Sequence, residues 1–532
     1  MTTLLQQLVT EQAAANPDRL AVVATTGDSL TYGELDSVSN QLARQLRSIG
    51  LGRGDRVALF MRKSPMAIAA ILGIYKADCV YVPLDPSSPA TRIVRMLESC
   101  EARVILSGGV EPRVIDALLT EGSWTDALTV GWLDAGPAPA HAPSFTSADV
   151  ARQPSGPIEY ARATDDPAHI LFTSGSTGVP KGVVITHANV LRFVEWATAY
   201  FGMDATDRVS GHPPLHFDLS FFDIFGTFAV GAELHLVPAE LNLLPNSLAD
   251  FIRSARLTQW FSVPSALAYM AQRDVVGQAD FPELRRVLWC GEVLPTPALI
   301  YWMTRLPHAR FTNLYGPTEA TIASSFYTLP HCPSDPQASI PIGEPCGGEQ
   351  LFVLDDALQP VERGQIGALH IGGVGLSPGY WRDPAKTAGV FVRSADDRRQ
   401  RIYNTGDLAR VGEDGLLYFC GRADSQIKSR GYRIELGEIE AALNTVAGIQ
   451  EGAVVALQTG GFEGNTICCA YVPRAASDLS PVSLRQELSK ALPGYMLPAR
   501  WLQFDAFPRN ANGKIDRPRI REAFETHAAQ AR

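Results

Sequence analysis

The stretch that decides the fold is HILFTSGSTGVPKG, residues 169–182. An apolar, strand-like run, residues 169–172, leads into a loop of Gly, Ser and Thr that ends on Pro180 and Lys181. Hydroxyl groups, backbone N–H groups and a lysine together form an anion cradle, so this loop predicts a phosphate site. It differs from a Walker A loop, because Pro180 stands where that motif has Gly. A Gly- and Ser-rich surface turn is the alternative.

Outward from this loop, short apolar runs alternate with amphipathic segments. Residues 57–61, 79–83 and 170–173 have the pattern of buried strands, whereas residues 35–49 and 66–77 have that of helices with an apolar stripe. The alternation predicts an α/β fold, in which a large N-terminal domain packs mainly parallel sheets and helices.

The character of the sequence changes near residue 421. A polar segment, a helical pattern at residues 435–444 and strand-like runs at 454–472 and 501–507 follow. We therefore expect an N-terminal core of residues 1–423 and a small, mobile α+β domain of residues 424–532. Residues 135–157, rich in Ala, Pro, Ser and Gly, are typical of a surface loop.

Composition narrows the classes of function. The chain has 532 residues, of which 46% are hydrophobic and 19% charged, and a net charge of −10, which argues against nucleic-acid binding. Its eight cysteines lack metal-ligand spacing, so we expect reduced thiols in a cytoplasm. The N-terminus lacks the pattern of a signal peptide. No apolar run approaches the ~18 residues that would span a membrane.

Other loops carry residues suited to a nucleotide. Residues 313–319 combine an aromatic ring, a hydroxyl and a carboxylate, which suit a purine, a phosphate and Mg²⁺ respectively. Residues 403–408 place Asp407 where it could accept hydrogen bonds from a ribose, and Lys514 lies on a loop near the C-terminus. Each loop alone is more typical of a turn. Their joint occurrence indicates a nucleotide site.

Taken together, the motifs resemble the adenylate-forming superfamily of acyl-CoA ligases, luciferases and peptide-synthetase adenylation domains, and are most similar to stand-alone amino-acid adenylation domains. The similarity runs nearly end to end, through ten motifs in order: residues 30–35, 75–85, 173–182, 217–220, 313–319, 367–380, 403–408, 421–435, 492–498 and 512–517. Two of the motifs depart from the family pattern: in one, Asp78 replaces a usual glycine, and in another, Ser377-Pro378 replaces Ala-Arg.

The resemblance implies a two-step ligase. An amino-acid carboxylate attacks the α-phosphorus of ATP and releases pyrophosphate, after which a phosphopantetheine thiol on a separate carrier takes the aminoacyl group. Lys514, Thr318 and Glu319 would be catalytic, with Glu319 holding Mg²⁺. The small domain would rotate about Asp424 between the steps. The residues implied to bind the nucleotide are Thr173, Ser174, Gly175, Ser176, Thr177, Gly178, Lys181, Gly291, Asn313, Tyr315, Gly316, Asp407 and Arg422.

Asp218 is the discriminating residue for the substrate. A carboxylate beside an apolar pocket is costly unless it is paired, and an α-ammonium group is a fitting partner. By motif offsets the pocket would be lined by Asp218, Leu219, Phe222, Ser262, Leu288, Cys290, Leu314, Ile322 and Ala323. None of the others is charged, so we expect a small or medium apolar amino acid such as alanine, proline or valine. Ser262 leaves serine or cysteine open.

Two other classes remain as alternatives. An acyl-CoA ligase of the same fold would act on a carboxylic acid without an amine, against which Asp218 argues. A non-catalytic nucleotide-binding module would not need Lys514, Glu319 and Asp407. The sequence carries no carrier-attachment motif, so we expect an acyl or peptidyl carrier protein in trans, and its acidic helix would contact the basic strip, residues 428–433.

Overall fold

The computed structural model describes residues 3–122, 128–175, 180–395, 397, 399–458, 464–474, 479–510 and 514–530. Residues 528–530 are described by their backbone only. Ser176, Thr177 and Gly178 of the predicted phosphate loop lie outside the described residues. So do Asn512 and Gly513, which precede Lys514.

Two large sheets, mainly parallel, dominate the described part of the chain. In spatial order the first contains Glu344–Pro345, Ser325–Thr328, Arg310–Tyr315, Arg286–Cys290, Gln259–Ser262, Arg208–Gly211, Glu233–Leu236, Leu20–Val23 and Ser29–Thr31. The second contains Gly379–Tyr380, Lys181–Thr186, Pro167–Thr173, Val80–Pro83, Arg56–Met61, Val104–Gly108, Thr129–Trp132 and Phe145–Thr146. In both sheets the central strands are parallel and antiparallel strands lie towards an edge.

Smaller sheets follow along the chain. One contains Glu349–Leu354, Gly367–Gly373, Arg401–Val411 and Phe391–Arg393, with Leu417–Arg422 paired to Arg401–Val411. Beyond Asp424 come the hairpin Gln426–Ser429 with Tyr432–Glu435, and a sheet of Ile449–Gln458, Asn465–Pro473 and Arg500–Gln503. The predicted domain boundary thus falls between two separate sheets.

Helices cover the faces of these sheets. The α-helices are Gln7–Ala15, Tyr32–Ser48, Pro65–Lys76, Ala90–Cys100, Pro112–Glu121, Ser147–Ala151, His187–Phe201, Leu219–Phe221, Thr227–Val230, Pro245–Ser254, Pro264–Gln272, Thr296–Arg305, Pro384–Val390, Leu436–Asn444, Pro481–Ser489 and Arg517–Gln530. Short 3₁₀ turns are Ala239–Leu243, Thr318–Ala320 and Gly494–Met496, and Phe222–Gly226 is a π-helix. None of the described helices is long and apolar enough to cross a membrane.

Alternation along the strands builds a layered core. In the strand Arg56–Met61, Val57 and Leu59 face a core shared by both large sheets, whereas Ala58 and Phe60 face a second core on the outer side. Helices such as Tyr32–Ser48 fill the space between the sheets. The molecule therefore has the layered α/β architecture that the sequence predicted.

Most of the predicted elements are confirmed within a few residues. The exception is residues 135–157, predicted to be a loop, which contain the short strand Phe145–Thr146 and the helix Ser147–Ala151. The physical reason is a capping box, in which the carboxylate of Asp149 accepts from both the N–H and the hydroxyl of Thr146 at 2.8 Å. The predicted phosphate loop joins two antiparallel strands, Pro167–Thr173 and Lys181–Thr186.

Candidate active site

One cavity brings the separate sequence motifs together. Among the residues predicted to bind substrate or nucleotide, those that line it are Thr173, Ser174, Asp218, Leu219, Cys290, Gly291, Gly316, Thr318, Asp407 and Arg422. The segment after Asp424 adds a second wall, made of Gln426, Lys428, Gly431, Tyr432, Arg433 and Tyr495. The cavity thus lies between the large and the small parts of the chain.

Asp218 faces this cavity at the start of the helix Leu219–Phe221. Burial raises the pKa of its carboxyl group to about 6, although a hydrogen bond with Thr318, the N–H of Leu219 and the charge of Lys428 oppose the rise. A carboxylate in this position would gain from a cationic partner. The cavity therefore presents a carboxylate to any ligand that it holds.

Glu319 lies at the centre of a buried charge cluster. Its Oε1 accepts from the Tyr380 hydroxyl at 2.8 Å and lies 3.1 Å from Lys181 Nζ, while Arg433 donates to Oε2 at 2.7 Å. Burial alone would raise the pKa of Glu319, but Arg433 and Lys181 lower it well below its ordinary value. Both carboxylate oxygens are thus engaged by groups of the protein.

The predicted ribose site is equally well connected. Asp407 accepts from Arg422 and from the Tyr315 hydroxyl, both at 2.5 Å. Tyr315, predicted to stack on adenine, is buried, and Lys428 lies over its ring with Nζ 5.7 Å from the ring centroid. The amide of Asn313 donates to the carbonyl of Pro341 at 2.7 Å, so this side chain supports the loop.

Lys514 is a predicted site residue that lies apart from the cavity. It is exposed, its backbone N–H donates to Asn510 Oδ1 at 3.0 Å, and it is not among the described residues that line the cavity. Lys428 and Arg433 from the hairpin after Asp424 lie there instead. The structure therefore assembles the cavity without the lysine expected to catalyse adenylation.

Specific contacts hold the small part of the chain in this position. The N–H of Gly431 donates to Glu292 at 2.8 Å, and the Ser174 hydroxyl donates to the carbonyl of Arg433 at 2.7 Å. Gly431 has φ +81°, and a Cβ there would lie 2.5 Å from a methyl group of Val263. Because of both strain and space, this position favours glycine.

The basic strip, residues 428–433, lies against the cavity. Its residues are buried or half-buried, and Lys428 and Arg433 face the cavity rather than an open surface. In this arrangement Lys428 and Arg433 are directed inwards, and contact between the strip and a carrier's acidic helix stays a prediction. The sequence could not indicate which way the strip faces, because that depends on how the hairpin packs against Glu319.

The predicted side-chain pocket needs one correction. Leu219, Phe222, Leu288, Cys290, Leu314, Ile322 and Ala323 all belong to the central core. Ser262 lies on the other face of the strand Gln259–Ser262, because its hydroxyl accepts from the indole N–H of Trp260 at 2.9 Å and Trp260 belongs to a separate core. Phe261 belongs to the central core, pairs with Leu288 across the sheet and meets Phe222 edge-on with ring centroids 5.9 Å apart. The predicted offset was wrong by one residue.

Sequence reasoning missed several groups that line or support the site. Arg433 and Tyr380 contact Glu319, Lys428 lies near Asp218, and His216 lines the cavity two residues before Asp218. Each lies within or beside a motif, so the motifs themselves were the available signal. What the sequence lacked was the packing that brings motifs from distant segments into contact.

Comparison with known proteins identifies the family to which the chain belongs. The family described as AMP-binding enzyme matches residues 9–381, and the one described as AMP-binding enzyme C-terminal domain matches residues 438–514. The chain belongs to the AMP-binding enzymes. The expected adenylate-forming family is thereby confirmed, and this AMP-binding enzyme has the corresponding α/β fold with a smaller C-terminal part.

Its relatives fall into two groups. This AMP-binding enzyme is 35% identical over 527 residues to the L-proline--[L-prolyl-carrier protein] ligase of Streptomyces coelicolor, covering 97% of this chain and 95% of that protein. It is 36% identical over 514 residues to tyrocidine synthase 3 of Brevibacillus parabrevis, covering 96% of this chain. In that second group the chain spans only a small part of its relative, 7% of the length of tyrocidine synthase 3.

A solved structure agrees with these matches. Holo-PA1221, a nonribosomal peptide synthetase protein containing adenylation and PCP domains, aligns with a TM-score of 0.78 and 26% identity. The alignment covers 97% of this chain and 84% of that one. The common part is therefore nearly the whole of this AMP-binding enzyme.

Proposed function

We propose that this AMP-binding enzyme activates a small or medium apolar amino acid as its aminoacyl-adenylate and transfers the aminoacyl group to the phosphopantetheine thiol of a separate carrier protein. The observation that carries the proposal is Asp218, a carboxylate in the cavity with a raised pKa. An α-ammonium group would add a positive charge to that of Lys428 and would offset the cost of burying this carboxylate. A carboxylic acid without an amine would provide no such partner.

ATP would bind where the phosphate loop meets the cavity. The phosphate oxygens of ATP would be held by two groups of residues. The first is the phosphate loop, with Thr173, Ser174, Gly175, Ser176, Thr177, Gly178 and Lys181, and the second consists of Gly291, Gly316 and Thr318. Asp407 and Arg422 would hold the ribose, since a carboxylate oxygen can accept more than one hydrogen bond. Fixed donors aimed at the developing charge would lower the barrier to attack on the α-phosphorus.

Glu319 could bind a magnesium ion if one of its carboxylate oxygens were released from its present partner. Mg²⁺ is commonly held by one or two carboxylates together with substrate phosphates, so one buried Glu suffices. Oε2 of Glu319 accepts from Arg433 in this arrangement, so the ion would need Arg433 to withdraw. When bound, Mg²⁺ would neutralise charge on the phosphates of ATP.

We propose two arrangements of the same chain, with residues 1–423 as core, residues 424–532 as lid and Asp424 as hinge. The arrangement described here, with Lys428 and Arg433 in the cavity and Lys514 exposed, suits the thioester-forming step. Adenylation would require a rotation that brings Lys514 to the substrate carboxylate.

The substrate side chain would enter the central core between Leu219 and Cys290. Phe222 and Phe261 restrict this space, which supports alanine, proline or valine over larger side chains. Ser262 no longer supports a polar substrate, because its hydroxyl bonds to Trp260 on the opposite face. The Cys290 thiol, which donates to the carbonyl of Ile322, is the remaining weakly polar group.

Amino-acid-dependent pyrophosphate exchange tests the proposal. The twenty amino acids would be assayed beside acetate, propionate, butyrate and benzoate. Exchange restricted to small or medium apolar amino acids is expected. A preference for a carboxylic acid without an amine, together with transfer to free CoA, would favour the acyl-CoA ligase, and absence of exchange with any acid would favour a binding module.

A further inference from the structure

His216 lines the cavity, and its role is not explained by substrate or nucleotide binding. Its buried Nε2 has no hydrogen-bond partner among the described residues, and it lies 3.9 Å from Oδ2 of Asp85. Asp85 is itself fixed, because its Oδ1 accepts from the N–H and the hydroxyl of Ser87 at 2.9 and 2.8 Å. A half-buried imidazole thus stands beside an oriented carboxylate.

The small part of the chain closes over this pair. The Tyr432 ring lies 6.4 Å from the His216 ring and stacks on Tyr495 with centroids 3.6 Å apart. The charge of Asp85 contributes to the raised pKa of both tyrosines, which places the carboxylate beside them. Tyr432 and Tyr495 both come from beyond Asp424, so the enclosed pair exists in the arrangement suited to thioester formation.

We infer that His216, oriented by Asp85, accepts the proton of the carrier's pantetheine thiol during thioester formation, an inference that rests on the proposed function. The S–H bond breaks and its proton passes to a ring nitrogen of His216. The sulfur electron pair forms the bond to the carbonyl carbon of the aminoacyl-adenylate, and the bond from that carbon to the phosphate oxygen breaks to release AMP. His216 is the catalytic group and Asp85 a positioning residue.

The surroundings favour the form of His216 that can accept a proton. Burial lowers the pKa of His216 below its ordinary value, and the charge of Lys63 lowers it further, whereas the charge of Asp85 acts to raise it. Tyr432 faces the ring from the small part of the chain and carries no charge near neutral pH, since burial raises its pKa. The imidazole is therefore neutral at pH 7, and Asp85 would stabilise the imidazolium that forms.

The test compares thioester formation in the wild type and His216→Gln over a range of pH. Alanyl-adenylate and free phosphopantetheine are supplied, and the alanyl thioester is quantified by mass spectrometry. General-base catalysis contributes about 10²–10⁴-fold, so we expect a loss of about 10²-fold at pH 7. The loss should shrink towards unity above pH ~8.5, where an ordinary thiol ionises without a base.

His212→Gln is the matched control. His212 is a buried histidine four residues earlier, bonded to Asn242 at 2.7 Å, and it is not among the described residues that line the cavity. Any loss in that variant should be independent of pH. The Asp85→Asn side chain can still accept from Ser87. This variant should show a smaller loss of thioester formation than His216→Gln, with the same dependence on pH. If His216→Gln fails to fold, Asp85→Asn serves as the test in its place.

The results separate this role from the proposed function. One outcome would overturn the role of His216 alone. In it, both His216→Gln and Asp85→Asn keep normal pyrophosphate exchange, and thioester formation in both is either unchanged or reduced by the same factor at every pH. Absence of exchange in the wild type with every amino acid would overturn the proposed function, and the role of His216 with it.

Discussion

Replacing Asp218 by Asn removes the negative charge on which the choice of an amino-acid substrate depends. The amide keeps the size of the side chain and can still meet Thr318, so the change is close to a deletion of charge. With a pKa of about 6, the wild-type carboxyl group is mostly ionised at pH 8, where the comparison should be made. The α-ammonium group of the substrate would then lose its counterion.

The magnitude follows from the burial of the site. Removing one partner of a buried ion pair costs about 3–5 kcal/mol. Asp218 is only half-buried, and the Asn oxygen still accepts a hydrogen bond from the ammonium group, so about 2–3 kcal/mol is the better expectation. That corresponds to a decrease in kcat/KM of about 30- to 150-fold.

Alanine-dependent pyrophosphate exchange, with propionate as the analogue that lacks the amine, measures the effect. Propionate should be used no worse by Asp218→Asn than by the wild type, because it has no ammonium group to lose. Asp414→Asn is the matched control, since Asp414 is exposed and accepts from Tyr418 at 2.7 Å. An Asp218→Asn variant that keeps the wild-type preference for alanine over propionate would refute the reasoning.

Three further predictions use the same exchange assay, and the last of them adds a measurement of thioester formation. Because the pKa of Asp218 is raised to about 6, its pairing with the ammonium group weakens as the pH falls through 6, so the KM for alanine should rise between pH 7 and pH 5; a flat profile would contradict this. Phe261→Ala should shift the preference towards larger apolar amino acids by about tenfold, whereas Ser262→Ala should leave it unchanged, and the reverse result would restore the original offset. Asp424→Pro should spare exchange and impair thioester formation, because proline fixes φ at the hinge, and equal loss of both activities would argue against a hinge at this position.

The sequence was most informative where local patterns decide the structure. Apolar alternation located the strand Arg56–Met61 and the helix Pro65–Lys76, because burial of one face depends on short-range periodicity. At Ser262, however, the alignment by motif offsets was wrong by one residue. A shift of one position along a strand moves a side chain to the opposite face, so a small error of alignment exchanged Phe261 for Ser262.

By itself the sequence determined the family, the α/β class and the presence of Asp218, Glu319 and Asp407, because each lies in a motif whose residues are neighbours along the chain. Only the tertiary structure decided which groups meet. Glu319 contacts Arg433 across 114 positions of sequence, and Tyr432 covers a histidine and an aspartate from two other segments. Such contacts depend on how the small part of the chain packs against the large one, and no local pattern of residues encodes that placement.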